Sequence, residues 1–234
     1  MTMDDGLAGT RPNAAEGGDI RVLLVDDDAL VLRAMRSILE TDEAITVAGQ
    51  ASDGLSACRW ATANKADVAL MDIRMPRRDG LEALETLRTT APKLAVVMLT
   101  TFSDTGYVER ALAGGAAGFL LKTAGPEELV LGVRAAASGG MALSPEVTRW
   151  VVHTYGPGAS DRTGEAVRRA ARLTERQRRL LRVLATGASN ADIGRRLHLS
   201  EGTVKGYVSD LMLALHVRNR VEAAVLAHRA GLTG

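Results

Sequence analysis

The sequence predicts a doubly wound α/β domain, (βα)5, followed by a small all-α domain of four helices built around a helix-turn-helix. Three observations predict it. Five short apolar runs alternate with amphipathic stretches between Ile20 and Ser138, the pattern of a parallel sheet with a helical layer on each face. Four short helices with polar starts follow from Leu173. The charge changes sign between the halves. Residues 1–140 hold 14 basic and 20 acidic side chains, a net −6; residues 141–234 hold 15 and 8, a net +7. An acidic half joined to a basic half reads as two domains, the basic one a candidate for nucleic acid.

The strands are read at Ile20–Val25, Ile45–Gly49, Val68–Met71, Leu94–Leu99 and Ala117–Leu121. Between them Val31, Met35, Ile38 and Leu39 share one helix face, as do Leu81, Leu84 and Leu87. Pro126 suits a first helical turn, Glu127 and Glu128 suit its positive dipole end, and Gly139-Gly140 stops that helix. Ser144-Pro145-Glu146 starts a short helix to about Thr154, and Gly156 to Asp161 carries no apolar pattern. Thr174 to Gln177 has the spacing of a capping box. Ser189 and Ser200 cap the next two helices, and the last runs from about Asn219 to Ala230. The expected division is a disordered leader over 1–19, an α/β domain over 20–140, a linker with a short helix over 141–170 and the helical domain over 171–234.

Composition excludes several classes. No apolar run approaches the roughly 18 residues of a membrane span. The first 19 residues lack the apolar centre of a secretory signal, and the single cysteine, Cys58, allows no intrachain disulfide, so a cytoplasmic setting is expected. No His/Cys pair has zinc spacing, and Trp60 and Trp150 read as packing residues.

The chemistry lies at the strand ends. Strand one ends in Asp26-Asp27-Asp28, strand three in Asp72, strand four in Thr100 and strand five in Lys122. Open α/β sheets bind ligands at the carboxyl ends of their strands. Clustered carboxylates repel unless a cation sits among them, and an all-oxygen set suits Mg²⁺. One carboxylate could attack phosphorus, with the lysine and the metal neutralising the transferred group and the hydroxyl donating to it. A strand-end aspartate often only caps the next helix; four such strand ends in this order are a rarer combination.

Over Ile20–Ser138 the sequence resembles the receiver domain of two-component response regulators. The resemblance rests on Val22 to Asp28, Met71-Asp72-Ile73-Arg74-Met75-Pro76, Asp79-Gly80, Val97 to Thr100 and Gly118 to Lys122. It implies that Asp72 is the phosphoacceptor. Asp26, Asp27, Asp72 and the backbone carbonyl of Arg74 would hold Mg²⁺. Thr100 and Lys122 would contact the phosphoryl oxygens, and Phe119 would be the switch aromatic, filling space that Thr100 vacates. The signalling face would be the fourth helix, fifth strand and fifth helix. Thr123 stands where the family often has proline.

In the basic half, Val204, Val208, Leu211 and Leu215 face inward on the third helix, while Gly202, Gly206, Ser209 and Asp210 face outward with Lys205 on the rim. A recognition helix lays such an outer face in the major groove. Arg195, Arg196, Arg218 and Arg220 are placed to reach phosphates. Leu173-Thr174-Glu175-Arg176, Ser189-Asn190, Thr203-Val204-Lys205 and Val217 to Ala223 make this segment resemble a LuxR-type helix-turn-helix. With the receiver, the whole is similar to NarL/FixJ-type regulators. The resemblance implies that Thr203, Lys205, Gly206 and Ser209 lie at DNA-facing positions and that the last helix helps dimerise. Gln177, Gly206, Tyr207 and Ala214 depart from the family's usual residues, and Asp210 adds a negative charge to the outer face.

The expected function is a bacterial transcriptional regulator rather than an enzyme. A sensor histidine kinase would phosphorylate Asp72 with Mg²⁺ as cofactor, favouring a homodimer on a double-stranded operator, with RNA polymerase a further candidate partner. The receiver packing on the recognition helix is one form of inhibition to look for. Two alternatives stand beside it. One is a regulator that works without phosphate. The other is an aspartate-nucleophile phosphatase, since Asp26 to Asp28 loosely resemble the haloacid-dehalogenase pattern, which would use Asp26.

Overall fold

A computed structural model describes residues 19–101, 105–145, 147–148, 151 and 162–233. The leader expected over 1–19, Trp150 and the apolar-poor stretch from Gly156 to Asp161 lie outside these residues, Asp19 excepted.

The first unit runs β1 (Ile20–Val25), α1 (Ala29–Leu39), β2 (Ile45–Ala51), α2 (Gly54–Ala63), β3 (Val68–Asp72), α3 (Gly80–Thr90), β4 (Ala95–Thr100), α4 (Thr105–Gly114), β5 (Gly118–Leu121) and α5 (Pro126–Ala137). With a sixth strand, β6 (Ala142–Leu143), all strand pairs are parallel, in the order β2-β1-β3-β4-β5-β6. Alternation along each strand divides two cores. Val22, Leu24, Val68, Leu70, Val97 and Leu99 point to the side of α1 and α5. Leu23, Val25, Ala69, Met71, Val96 and Met98 point to the side of α2, α3 and α4. Central strands buried on both faces need continuous apolar runs, which is why those runs were readable.

The sixth strand, β6 (Ala142–Leu143), pairs with β5 inside the segment expected as linker. Two residues carry no periodicity to read. Gly118 admits the strand: a Cβ there would lie 2.2 Å from the Ala142 carbonyl oxygen. Pro145, Val147, Thr148 and Val151 are helical, in keeping with the short helix expected there, and Val147 and Val151 are buried.

Caps fix the helix starts. Asp28 accepts from Leu30 N at 2.7 Å, Asp53 from Ser56 N and Asp79 from Glu82 N. Asp28 is thus committed to capping α1. Gly139 ends α5 with φ 68°.

The second unit is α6 (Arg162–Ala171), α7 (Glu175–Ala185), α8 (Asn190–Leu197), α9 (Glu201–Leu215) and α10 (Arg220–Arg229). The Thr174–Gln177 capping box is present, Ser189 and Asp192 form another, and Ser200 and Asn219 cap α9 and α10. Helix α6, inside the segment expected as linker, packs on this unit. Ala166 and Ala170 of α6 share one buried cluster with Leu180, Leu184, Val204, Val208, Leu211 and Leu226. With only small alanines on its buried side, α6 shows little apolar stripe in the sequence.

The two units touch. Val221 of α10 joins the cluster holding Val108, Ala111 and Leu112 of α4. The recognition helix is not the docked element: Gly202, Lys205, Gly206, Ser209 and Asp210 are exposed. The receiver-like unit therefore packs on the last helix and leaves the expected DNA-facing side of α9 open.

Candidate functional site

The carboxyl edge of the sheet brings the predicted side chains together. Asp26 follows β1, Asp72 ends β3, Thr100 ends β4 and Lys122 follows β5; strand order makes these neighbours. Lys122 Nζ lies 2.7 Å from Asp26 Oδ2 and 2.9 Å from Asp72 Oδ2. Asp26 is fully buried and Asp72 is 5% exposed. Asp26 Oδ1 accepts from Asp28 N at 3.0 Å. Asp26 Oδ2, despite the nearby ammonium, makes no well-formed hydrogen bond. Thr100 is buried at the same edge.

The electrostatics are those of a strained acid cluster held by one cation. Burial pushes the Asp72 carboxyl above its ordinary value; the Lys122 ammonium pulls it down, and the Asp26 charge adds to the upward shift. Burial pulls Lys122 down, but its contacts with Asp26 and Asp72 outweigh that, leaving it raised and charged.

Oxygens of Asp26, Asp27 and Asp72 lie within 4.8 Å of one another, with Asp27 exposed. An all-oxygen set of three carboxylates, two of them sharing the Lys122 ammonium, fits a hard divalent cation. Beside it opens a cleft of about 450 Å³ lined by Asp27, Arg74, Pro76 and Tyr107, with the Arg74 guanidinium 5.3 Å from the Tyr107 ring centroid.

Phe119 is completely buried, in the cluster that also holds Val108, Ala111, Val147 and Val151. The ring is already enclosed here, so this state leaves no outward position from which it would swing in.

Two supporting contacts are made in space. Arg77, in the left-handed region at φ 65°, bonds the buried Asp53 carboxylate and so ties the loop after β3 to the start of α2. Gly80 packs directly on β3: a Cβ there would lie 2.1 Å from the Asp72 carbonyl oxygen. Asp53 also caps α2, and only the fold joins it and Gly80 to the site.

The residues expected at DNA divide. Lys205, Gly206, Arg195 and Arg196 are exposed. Ser209 is exposed too, and its Oγ donates to the Lys205 carbonyl at 3.0 Å. Arg195 is paired with Asp192. Thr203 turns its hydroxyl to Ser200 Oγ at 2.8 Å and is half-buried. Arg218 is exposed but bonds the Ala113 carbonyl of α4.

Arg220 is a correction. It is 7% exposed, donates to the Ala188 carbonyl at 2.8 Å and to Asn190 Oδ1 at 3.3 Å, and burial pulls its pKa down to about 10. Such a side chain ties α8 to α10 and reaches no phosphate. A count of charges along the chain cannot distinguish it from its exposed neighbour Arg218.

Comparison with known proteins agrees with the two-unit reading. Residues 22–134 match the response regulator receiver domain, and residues 171–227 match the bacterial regulatory proteins of the luxR family. The transcriptional regulatory protein LnrK of Bacillus subtilis (strain 168) is 34% identical over 92% of this chain and 99% of its own. The nitrate/nitrite response regulator protein NarP of Escherichia coli (strain K12) is 35% identical over 90% of this chain and 95% of its own. The receiver domain of the putative response regulator NarL from Mycobacterium tuberculosis superposes with a TM-score of 0.51 at 34% identity, covering 52% of this chain and 98% of that one. The chain belongs to the NarL-type response regulators of two-component systems, transcriptional regulators in which a receiver domain precedes a luxR-family DNA-binding domain.

Proposed function

We propose that Asp72 is the phosphoacceptor, that a sensor histidine kinase supplies the phosphoryl group, and that phosphorylation favours a homodimer bound to a double-stranded operator. The observation that carries the reading is the position of Lys122 Nζ between the buried Asp26 and Asp72 carboxylates.

An Asp72 carboxylate oxygen attacks the phosphorus; the bond from phosphorus to the donor's leaving atom breaks, and that atom keeps the electron pair. Desolvation makes the carboxylate a stronger nucleophile than a solvated one. Lys122 stays against the new phosphoryl oxygens as counter-charge, and the Thr100 hydroxyl donates to them. Asp26, Asp27, Asp72 and the Arg74 carbonyl would hold Mg²⁺, which supplies further neutralisation of the transferred group. Asp26 offers no accessible surface, which favours Asp72 over Asp26 as the attacking group. Lys205 and Ser209 would read base edges from α9, with Arg195, Arg196 and Arg218 on the phosphates.

Intact mass after incubation with Mg²⁺ and acetyl phosphate tests the acceptor. The expected result is one added phosphoryl group in the wild type and none in Asp72→Ala. Transfer that persists in Asp72→Ala, or is abolished only by Asp26→Ala, contradicts it.

A further inference from the structure

The units meet through polar contacts at two helix ends: Asn190 N donates to the Ser138 carbonyl after α5 at 3.1 Å, and a denser set lies at the end of α4. The last carbonyls of α4 receive donors from outside that helix. Asn219 Nδ2 donates to the Leu112 carbonyl at 2.7 Å, and Arg218 Nη1 donates to the Ala113 carbonyl. From α3, Arg88 Nη1 reaches the Gly114 carbonyl at 3.3 Å and the Arg218 carbonyl at 3.1 Å. A helix C-terminus is the negative end of its dipole and attracts cations. Arg218 thus sits on a partial negative charge of the receiver, in the short loop that follows the recognition helix.

That loop is held firmly. His216 closes α9 in the left-handed region at φ 52°, Asn219 Oδ1 caps α10 through Glu222 N at 2.8 Å, and Arg218 N donates to Glu222 Oε2 at 2.8 Å. Beside the contact a cleft of about 340 Å³ opens between α4, α6 and α10, so the surfaces fit incompletely. Incomplete packing with exposed polar contacts is the character of a separable interface.

We propose that Arg218 has two exclusive partners: the C-terminus of α4 in this docked state and a phosphate of duplex DNA in the bound state. The proposal rests on the DNA-binding reading above and adds its regulation. One guanidinium serves both sites, so docking the receiver removes a phosphate contact while leaving the base-facing side of α9 open. The receiver then lowers DNA affinity through charge competition at one side chain, without covering the recognition helix.

The test uses the full chain, random-sequence duplex DNA, and Mg²⁺ with acetyl phosphate to phosphorylate it. Hydrogen exchange over residues 105–116 and 217–226 reads docking. Arg88→Ala and Asn219→Asp loosen the dock; the aspartate keeps the α10 cap and faces the Leu112 carbonyl with an acceptor. Both are expected to raise exchange in these segments and to tighten DNA binding by the unphosphorylated protein severalfold. Arg218→Ala is expected to raise exchange equally and yet weaken DNA binding, with the slope of log K against log salt reduced by about 0.9, one phosphate contact. If Arg218→Ala tightens binding as Arg88→Ala does, with an unchanged slope, Arg218 is a docking residue only and the exchange is refuted. If it weakens binding with exchange unchanged, the dock does not use it and the proposal fails equally. If the phosphorylated wild type binds no duplex at any salt, the DNA-binding reading falls, and the exchange with it.

Discussion

Residues at the sheet edge show how far one position can be read alone. Asp26, Asp72, Thr100 and Lys122 were legible because a strand end has a known destination in an open α/β sheet. Asp28 was legible only as one of three acids; the fold spends it on the α1 cap. Gly80 was legible as part of a motif, and its reason is spatial: a side chain would meet the Asp72 carbonyl. Gly80→Ala is expected to destabilise the receiver domain by about 1–3 kcal/mol through overpacking, measurable by urea unfolding, and to slow phosphorylation by shifting Asp72. Arg220 was misread because charge is visible in a sequence and burial is not. Arg220→Ala is expected to cost the DNA-binding domain about 1–3 kcal/mol by leaving its acceptors unpaired. The salt slope of DNA binding should stay unchanged, and a slope reduced by about 0.9 contradicts the buried assignment.

At the scale of elements, the strands and most helices were legible because apolar period and cap chemistry agreed. One escaped: β6 is too short for any period. The basic stretch of α6 is compatible with a helix in the sequence, but its packing through Ala166 and Ala170 is visible only in the fold. The recognition helix carries Gly202 and Gly206 with nothing within 4 Å of where a Cβ would lie. Each Gly→Ala change is therefore expected to stabilise the helical domain by about 1 kcal/mol, seen as a raised Tm; a loss of stability would mean that neighbours do crowd those positions. The brace between the loop after β3 and α2 titrates. Burial works to raise the Asp53 carboxyl, but Ser56 and Arg77 bonds outweigh it and hold the group below its ordinary 3.8. A lowered folded value means that its stabilisation is present above the unfolded pKa and lost as pH falls through the folded one. Asp53→Asn is expected to flatten the acid limb of a Tm–pH profile; an unchanged limb contradicts the brace.

For the whole molecule, the split of charge correctly announced two units, but it could not say how they meet. The polar part of the contact is made largely of backbone carbonyls at helix ends, which leave no trace in composition. Its consequence is a molecule in which the outer face of α9 is open while Arg218 and the last helix are engaged by the receiver. Because α6 packs on the helical unit, a fragment beginning at residue 162 is expected to be more stable than one beginning at 172, which loses Ala166 and Ala170 from the core. Equal Tm values would make α6 an ornament. The central claim is that charge added at Asp72 controls DNA binding by the intact chain. The direct measurement is affinity for duplex DNA with and without Mg²⁺ and acetyl phosphate, for the wild type and Asp72→Ala. The account predicts tighter binding on phosphorylation in the wild type and no response in Asp72→Ala. Equal affinity of phosphorylated and unphosphorylated wild type would contradict it.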